Sequence, residues 1–224
     1  MNPAAFKPVV LFGGTFDPVH NGHVAMVNAA RQELAPERQV ALPAGNPYQR
    51  GRLAFADATH RTRMLEIAFR DDSHLAVDPR ELYRAGPTYT VDTLREWRAA
   101  VGDNVPLVWL LGSDAFARLD TWHQWQALFE LAHFAVVLRQ DQPQPMAAAS
   151  ATLKRALMGR QVDPAALEQS AFGQYALLSA TVPAISSTGI RALRGNNESI
   201  RGLVPDSVCD YIDHHQLYLS GEQA

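Results

Sequence analysis

The chain has 224 residues, 47% of them hydrophobic and 19% charged, which is typical of a soluble globular protein with a sizeable core. Its formal net charge of -3 gives no global positive field for nucleic acid or an acidic membrane, so we expect neither as a partner. The single cysteine excludes an intrachain disulfide and a multi-cysteine zinc site, and favours a reducing compartment. No stretch has the length of a signal-peptide core or a membrane span, so we expect a cytoplasmic protein.

The first half of the chain alternates short apolar runs with segments of helical period. The predicted elements are a strand at Val9 to Phe12, a helix carrying Val24 to Leu34, a strand at Val40 to Leu42, a helix capped by Asp57, a strand at Leu75 to Val77, a helix from Asp92 to Val101 ended by Gly102, and a buried strand at Leu107 to Leu111. The opening strand, helix and strand form a βαβ unit.

The second half continues the alternation but is interrupted by a polar, proline-containing stretch at Arg139 to Ser150. Its predicted elements are a helix at Trp122 to Leu131, a strand at Phe134 to Leu138, an inserted helical segment at Leu153 to Leu167, a strand at Tyr175 to Leu178, a helix starting at Gly189, and a closing helix at Pro205 to His214. The whole pattern predicts an α/β fold, a Rossmann-like doubly wound parallel sheet with helices on both faces. We expect a single domain over residues 1–224, with a helical insertion around 143–174.

A glycine-rich stretch, GGTFDPVHNGH, follows the first predicted strand and covers residues 13–23; we call it the glycine turn. Backbone N–H groups converge on an anion where such a turn leads into a helix, and Gly13 and Gly14 would let a phosphate approach closely. The chain contains no G-x-G-x-x-G, no P-loop and no G-x-S-x-G nucleophile elbow. The turn is therefore a candidate phosphate site of another type.

Two histidines of the glycine turn, His20 and His23, lie three residues apart at the predicted helix start, where both rings can share one face. A plain capped turn needs no function for them, and a zinc site needs further ligands that nothing nearby supplies. The third interpretation is phosphate chemistry, because imidazole N–H groups donate to phosphate oxygens and stabilise charge in a transition state. The glycines beside the histidines favour this third interpretation.

The glycine turn resembles the (T/S)-F-D-P-x-H-x-G-H signature of the nucleotidylyltransferase superfamily. A second stretch, ISSTGIR at residues 185–191, is similar to the superfamily's I-S-S-T-x-(I/V)-R, although alone it would indicate only a turn and an N-cap. The resemblance implies catalytic roles for His20, His23 and Arg191. It also implies ATP binding by a set drawn from both signatures: Gly13, Gly14, Thr15, Phe16, Ser187 and Thr188.

Three further stretches resemble the bacterial nicotinate-nucleotide adenylyltransferases: GPTYTVDTL from Gly86, LLGSDAF with TWHQW from Leu110, and the ending LVPDSVCDYIDHHQLY. The resemblance implies that Asp114 binds the ATP ribose, that Trp122 stacks on a pyridine ring, and that N–H groups near Thr90 and His123 receive a carboxylate. A helix cap for Asp114 and core packing for Trp122 are the alternatives. The family's P-P-H-(K/R) loop is NPYQR here, where Arg50 can still reach a phosphate.

The implied reaction joins ATP to nicotinate mononucleotide, giving nicotinate adenine dinucleotide and pyrophosphate in NAD synthesis. Mg²⁺ is expected on the triphosphate, held mostly by phosphate oxygens and water rather than by a dedicated protein metal site. Another nucleotidylyltransferase, with nicotinamide mononucleotide or phosphopantetheine as acceptor, is one alternative. A non-catalytic nucleotide-binding module and a zinc hydrolase are the others, and association into a homo-oligomer is left open.

Overall fold

The computed structural model describes residues 6–46, 54–140 and 146–219. These residues form a six-stranded sheet in the order β3-β2-β1-β4-β5-β6, and every neighbouring pair runs parallel. The strands are β1 (Val9–Gly14), β2 (Arg38–Pro43), β3 (Leu75–Val77), β4 (Leu107–Gly112), β5 (His133–Arg139) and β6 (Tyr175–Val182). This is the strand order of dinucleotide-binding doubly wound sheets, so the predicted fold class is confirmed.

Helices cover both faces of the sheet. They are α1 (Asn21–Leu34), α2 (Ala58–Ala68), α3 (Thr90–Val101), α4 (Ser113–Phe116), α5 (Trp125–Leu128), α6 (Ala151–Leu157), α7 (Ser187–Gly195) and α8 (Asp206–His214). Short 3-10 turns lie at Arg80–Tyr83, Leu119–Thr121 and Pro164–Gln169. No helix in these described stretches combines the length and apolarity that a membrane span requires.

Alternating residues of the central strands divide the core between the two faces, as the period of two along a strand requires. In β1, Val10 and Phe12 pack with α1, α2, α7 and α8, whereas Val9 and Leu11 pack with α3, α4, α5 and α6. These four strand residues are at most 5% exposed. Because helices cover both faces of the sheet, the central strands are continuous runs of apolar residues in the sequence.

Two predicted helices are wrong in extent. The helix expected at Trp122 to Leu131 is only the four-residue α5, because Gln124 takes a left-handed φ of 49° that a continuing helix excludes. The segment expected at Leu153 to Leu167 is helical only at its two ends, in α6 and in the 3-10 turn at Pro164–Gln169. Gly159, with φ of 73°, turns the chain so that Gln161 bridges to β6 instead. The prediction of an insertion around 143–174 within a single domain stays a prediction.

The sheet order reverses between β1 and β4, the two central strands. Connections from these strands leave in opposite directions, so a crevice opens beyond their carboxyl ends, where ligands bind in open α/β sheets. The glycine turn begins with Gly13 and Gly14, the last two residues of β1, and α4 follows β4. The fold therefore brings the glycine turn to the crevice.

Candidate active site

A cavity of about 600 Å³ occupies this crevice, a volume typical of small-ligand sites. Most of the residues selected from the sequence line it: Gly13, Gly14, Thr15, Phe16, His20, His23, Thr90, Asp114, Trp122, Ser187 and Thr188. Arg191 and His123 are described but are not among the lining residues, and Arg50 lies outside the described residues. Two regions more than 160 residues apart in sequence, the glycine turn and the start of α7, thus face one cavity.

The two histidine rings are stacked, with centroids 3.7 Å apart and planes 20° from parallel. The His20 backbone N–H donates to His23 Nδ1 over 3.2 Å, so that nitrogen is an acceptor and the proton of the neutral ring is assigned to Nε2. The edge of Phe16 meets the His23 ring, with centroids 5.0 Å apart. Local contacts within the turn therefore fix the orientation of the His23 ring.

His20 is nearly enclosed, with 6% of its surface exposed. Burial, followed by the charge of Arg139, lowers the pKa of His20 from 6.5 to about 4, so its ring is neutral at pH 7. Its Nδ1 has no hydrogen-bond partner in the described part of the chain. A buried nitrogen of this kind is stabilised when a polar ligand reaches it.

Glycine is required in the turn for packing as well as for access. A Cβ at Gly13 would overlap the ring of Trp109, and a Cβ at Gly14 would lie 3.0 Å from the Phe16 ring. Phe16 itself has φ of 50°, a left-handed conformation that is costly for a large side chain and recurs at functional sites. The sequence predicted the phosphate-access role of these glycines but not the aromatic rings against them.

The start of α7 is bonded both to itself and to the glycine turn. Ser186 caps the helix, its Oγ accepting from the Gly189 N–H over 3.1 Å, and the Ser187 hydroxyl donates to the Pro18 carbonyl over 3.0 Å. Arg191 is 7% exposed and donates to the Asp17 carbonyl over 2.5 Å. Its guanidinium does not line the cavity, but it also donates to the hydroxyl of Thr188, which does, over 3.2 Å.

Two of the residues selected for the pyridine ring also line the cavity. Thr90 begins α3, and Trp122 is partly buried. His123 is exposed, and its ring stacks on Tyr89 with centroids 4.1 Å apart. The structure thus brings Thr90 and Trp122 together at the cavity and leaves the His123 ring outside it.

Several lining residues were not selected from the sequence: Glu81, Thr88, Trp109, Arg118, Thr121, Arg139 and Ser186. Arg139 had a usable signal, because it ends a buried strand at the edge of the sheet where ligands bind. Glu81 had no sequence signal, because it lies in a 3-10 turn outside the predicted strands and helices. It is 4% exposed and accepts from the Thr93 hydroxyl over 2.5 Å. Burial raises the pKa of Glu81 from 4.5 to about 7, although that hydrogen bond acts in the opposite direction.

The zinc hypothesis for His20 and His23 lacks further ligands. Across the three described ranges, no three His, Cys, Asp or Glu side chains meet in a way that could hold a metal ion. Structural and catalytic zinc sites need at least three protein ligands. The cavity instead offers donors such as imidazoles, guanidinium groups and hydroxyls, a set suited to anions.

Comparison with known proteins agrees with this chemistry. The cytidylyltransferase-like family model matches residues 11–193, which include the glycine turn and the start of α7. Fold and site therefore define a nucleotidyltransferase of the cytidylyltransferase-like family.

The chain is 40% identical to a "Probable nicotinate-nucleotide adenylyltransferase" of Acidithiobacillus ferrooxidans, covering 98% of this chain and 100% of the relative. It is 43% identical to the protein of that name from Stenotrophomonas maltophilia, covering 94% and 96%. The chain thus belongs to the nicotinate-nucleotide adenylyltransferases.

Solved structures share the fold at much lower identity. The nicotinic acid mononucleotide adenylyltransferase of Plasmodium falciparum, complexed with NaAD, matches with a TM-score of 0.69 and 18% identity, over 95% of this chain and 97% of that one. The same enzyme complexed with APC matches with a TM-score of 0.67. These likenesses support the sheet order and helix arrangement described above.

Proposed function

We propose that this chain transfers the adenylyl group of ATP to nicotinate mononucleotide, forming nicotinate adenine dinucleotide and releasing pyrophosphate. One observation carries the proposal: two donor-rich helix starts and a wall bearing Trp122 and Thr90 face a single cavity. The helix starts suit a triphosphate, and the aromatic wall suits a flat ring. Membership in the adenylyltransferase family supports the same pairing of substrates.

The chemistry requires positioning more than proton transfer. An oxygen of the mononucleotide phosphate attacks the α-phosphorus of ATP, and the bond from that phosphorus to the bridging oxygen of pyrophosphate breaks. A phosphate monoester has its second pKa near ~6, so the attacking group is mostly dianionic at neutral pH and needs no general base. The protein must bring two anions together and stabilise the charge that develops, which is the work of fixed donors.

The ATP side of the cavity supplies such donors. We assign the triphosphate to the backbone N–H groups of Gly13, Gly14 and Thr15, together with the His20 and His23 rings. Ser187 and Thr188 extend this set from α7, beside Phe16, and Asp114 is assigned to the ribose. Mg²⁺ enters with ATP as part of the substrate, bound by phosphate oxygens and water. Arg118 and Arg139 add positive charge around the same cavity.

The acceptor side is assigned to the pyridine nucleotide. Trp122 stacks on the ring, backbone N–H groups near Thr90 and His123 receive the carboxylate, and Arg50 reaches toward the phosphate. N–H donors favour a carboxylate over an amide, because the amide NH₂ would leave buried donors unpaired. Nicotinate is therefore preferred to nicotinamide. Arg191 remains a predicted catalytic donor, and self-association remains a prediction.

Pyrophosphate release from ATP and Mg²⁺ tests the proposal, with nicotinate mononucleotide, nicotinamide mononucleotide and phosphopantetheine supplied separately. We expect rapid release with the first and far less with the others. Faster release with phosphopantetheine would support the rival acceptor. Release with none of them would support a non-catalytic nucleotide-binding module and contradict the enzyme proposal.

The two tryptophans of the TWHQW segment provide a matched pair of variants. Trp122 lines the cavity, whereas Trp125 packs against the core without lining it. Loss of a stacked base contact costs about 1–3 kcal/mol, so W122A should raise KM for nicotinate mononucleotide by roughly tenfold or more. W125A should leave that KM within about twofold. Equal KM values for the two variants would contradict the stacking assignment.

A further inference from the structure

Asp17, in the middle of the glycine turn, is 1% exposed and is bonded by three other segments of the chain. The Phe55 N–H donates to its Oδ2 over 2.8 Å and the Ala56 N–H to its Oδ1 over 3.1 Å. The hydroxyl of Tyr218, 201 residues away, donates to Oδ1 over 2.9 Å. Arg191 of α7 lies 3.8 Å from Oδ2 and donates to the Asp17 carbonyl.

Buried positive charge balances this carboxylate. Arg61 is 2% exposed and donates to the carbonyls of Thr15 and Ala44, both over 2.8 Å, so it holds the glycine turn next to the end of β2. Burial, followed by the charge of Asp17, raises the pKa of Tyr218, so its phenol remains protonated and donates. The cluster is thus a connected polar network of the kind that fixes one conformation.

The network acts on the backbone that carries both histidines. His20 and His23 follow Asp17 by three and six residues, so the positions of both rings depend on the backbone of the turn that Asp17 anchors. Asp17 is therefore connected to the cavity through the position of the turn and through Arg191, which donates to Thr188 Oγ1 over 3.2 Å at the cavity. A displacement of about 1 Å in a catalytic group can cost on the order of 10²-fold in rate.

We propose that Asp17 and Tyr218 are positioning residues. The carboxylate of Asp17 holds the glycine turn in its catalytic geometry, and the Tyr218 hydroxyl connects the C-terminal segment to the turn by its hydrogen bond to that carboxylate. This inference rests on the proposed adenylyl transfer. It assigns a role to Tyr218, which does not itself line the cavity.

The variants Y218F and Y211F test the proposal as a matched pair. Each removes one hydroxyl with a 2.9 Å hydrogen bond in the C-terminal region, to Asp17 Oδ1 in one case and to the His60 ring in the other. Because the histidines act on transition-state charge, Y218F should lower kcat by roughly tenfold and change KM for ATP by less than about twofold. Y211F should leave kcat unchanged. Equal kcat values for the two folded variants would overturn the proposal.

A spectroscopic readout separates this inference from the proposed function. The ring Cε1–H resonances of His20 and His23 should shift in Y218F and remain unshifted in Y211F, with no need for turnover. Unshifted resonances in Y218F would overturn the positioning role even if the wild type is active. Inactive wild-type protein with shifted resonances would instead contradict the adenylyl transfer and support the positional coupling.

A double-mutant cycle locates the coupling at Asp17. If Tyr218 acts through the carboxylate, the loss in kcat caused by Y218F should largely vanish in a D17N background, because interacting residues are not additive. Additive losses in kcat would overturn the proposed route. Should D17N fail to fold, the resonances of Y218F and Y211F still decide the question.

Discussion

His20 and His23 form a stacked pair in which the turn fixes each ring by different contacts. His23 is held through Nδ1 by the His20 backbone, and His20 is enclosed, with its pKa lowered to about 4. The folded state thus disfavours protonated His20, so this group's contribution to stability is complete above pH 6.5 and is lost as the pH falls toward about 4. A His20 ring that is neutral at pH 7 suits hydrogen-bond donation to phosphate better than acid catalysis.

Replacement of either ring should therefore affect turnover more than binding. We expect H20A and H23A each to lower kcat by on the order of 10²-fold or more while changing KM for ATP much less, since a transition-state donor is lost. Steady-state kinetics of pyrophosphate release measure both constants. H74A, at an exposed histidine, is the control. Wild-type kcat in both turn variants would contradict the assigned role.

Glu81 makes stability depend on pH in the opposite direction to His20. Burial raises its pKa to about 7, so the folded state holds its proton more tightly than the unfolded chain does. Arg84, Glu96 and Asp78 are the charged groups around it, and Thr93 bonds it. Its contribution to stability is complete below about pH 4.5 and is lost as the pH rises through about 7.

The E81Q variant cannot ionise at this position and should lose that pH dependence. Between about pH 5 and about pH 8 we expect the free energy of unfolding of the wild type to fall relative to that of E81Q. Urea titrations at several pH values measure the difference. E66Q, at a carboxyl that is 48% exposed, should follow the wild type. Parallel pH dependences for E81Q and the wild type would contradict the expectation.

Helix starts determine much of this site, and their chemistry is largely local. Asp57 caps α2, with its Oδ1 accepting from the His60 N–H over 2.8 Å, as the sequence predicted. The N-cap of α7 is equally local, and ISSTGIR identified it within two residues. The helix expected at Trp122 to Leu131 is wrong because the left-handed φ of Gln124 has no sequence signal such as glycine.

Removal of the α7 cap should weaken stability and activity together. We expect S186A to lose about 1 kcal/mol of stability and, because Ser187 and Thr188 lie in the frayed turn, roughly fivefold or more in kcat/KM for ATP. Ser150 caps α6 in the same way and also donates to Asp120. S150A should lose at least comparable stability with unchanged kinetics. Unchanged kcat/KM in S186A would contradict a role for the α7 start in binding triphosphate.

Arg98 links distant segments of the whole molecule. It is 8% exposed and donates to the carbonyls of Gly102, Val105, Leu131 and Ala171. These carbonyls belong to the end of α3, the approach to β4 and the approaches to β5 and β6. One guanidinium therefore supplies hydrogen-bond donors to four backbone carbonyls near the amino-terminal ends of the strands, at the edge of the sheet away from the cavity.

Loss of this guanidinium should destabilise the fold and leave the chemistry intact. R98M leaves four carbonyls without their hydrogen-bond donor. We therefore expect a loss of about 3 kcal/mol or more in the free energy of unfolding and a fall in Tm of roughly 6–12 °C. R95M, at an exposed arginine of the same helix, should change Tm little. Calorimetry and kcat measured well below Tm test both statements. Equal Tm values for the two variants would contradict a stabilising role of the Arg98 hydrogen bonds. A large loss of kcat in R98M would place Arg98 in the active site.

The amino-acid sequence alone determined the alternation of strands and helices and the caps of α2 and α7, and it predicted a phosphate site at the glycine turn. Periodicity and capping depend on residues close together in the chain, so a local stretch of sequence predicts them. The two signature stretches indicated the family. Only the tertiary structure decided that Glu81 joins the cavity, that Arg191 donates to the Asp17 carbonyl, and that Tyr218 reaches Asp17 across 201 residues. Contacts between distant segments depend on how the sheet and helices pack, and no local pattern encodes them.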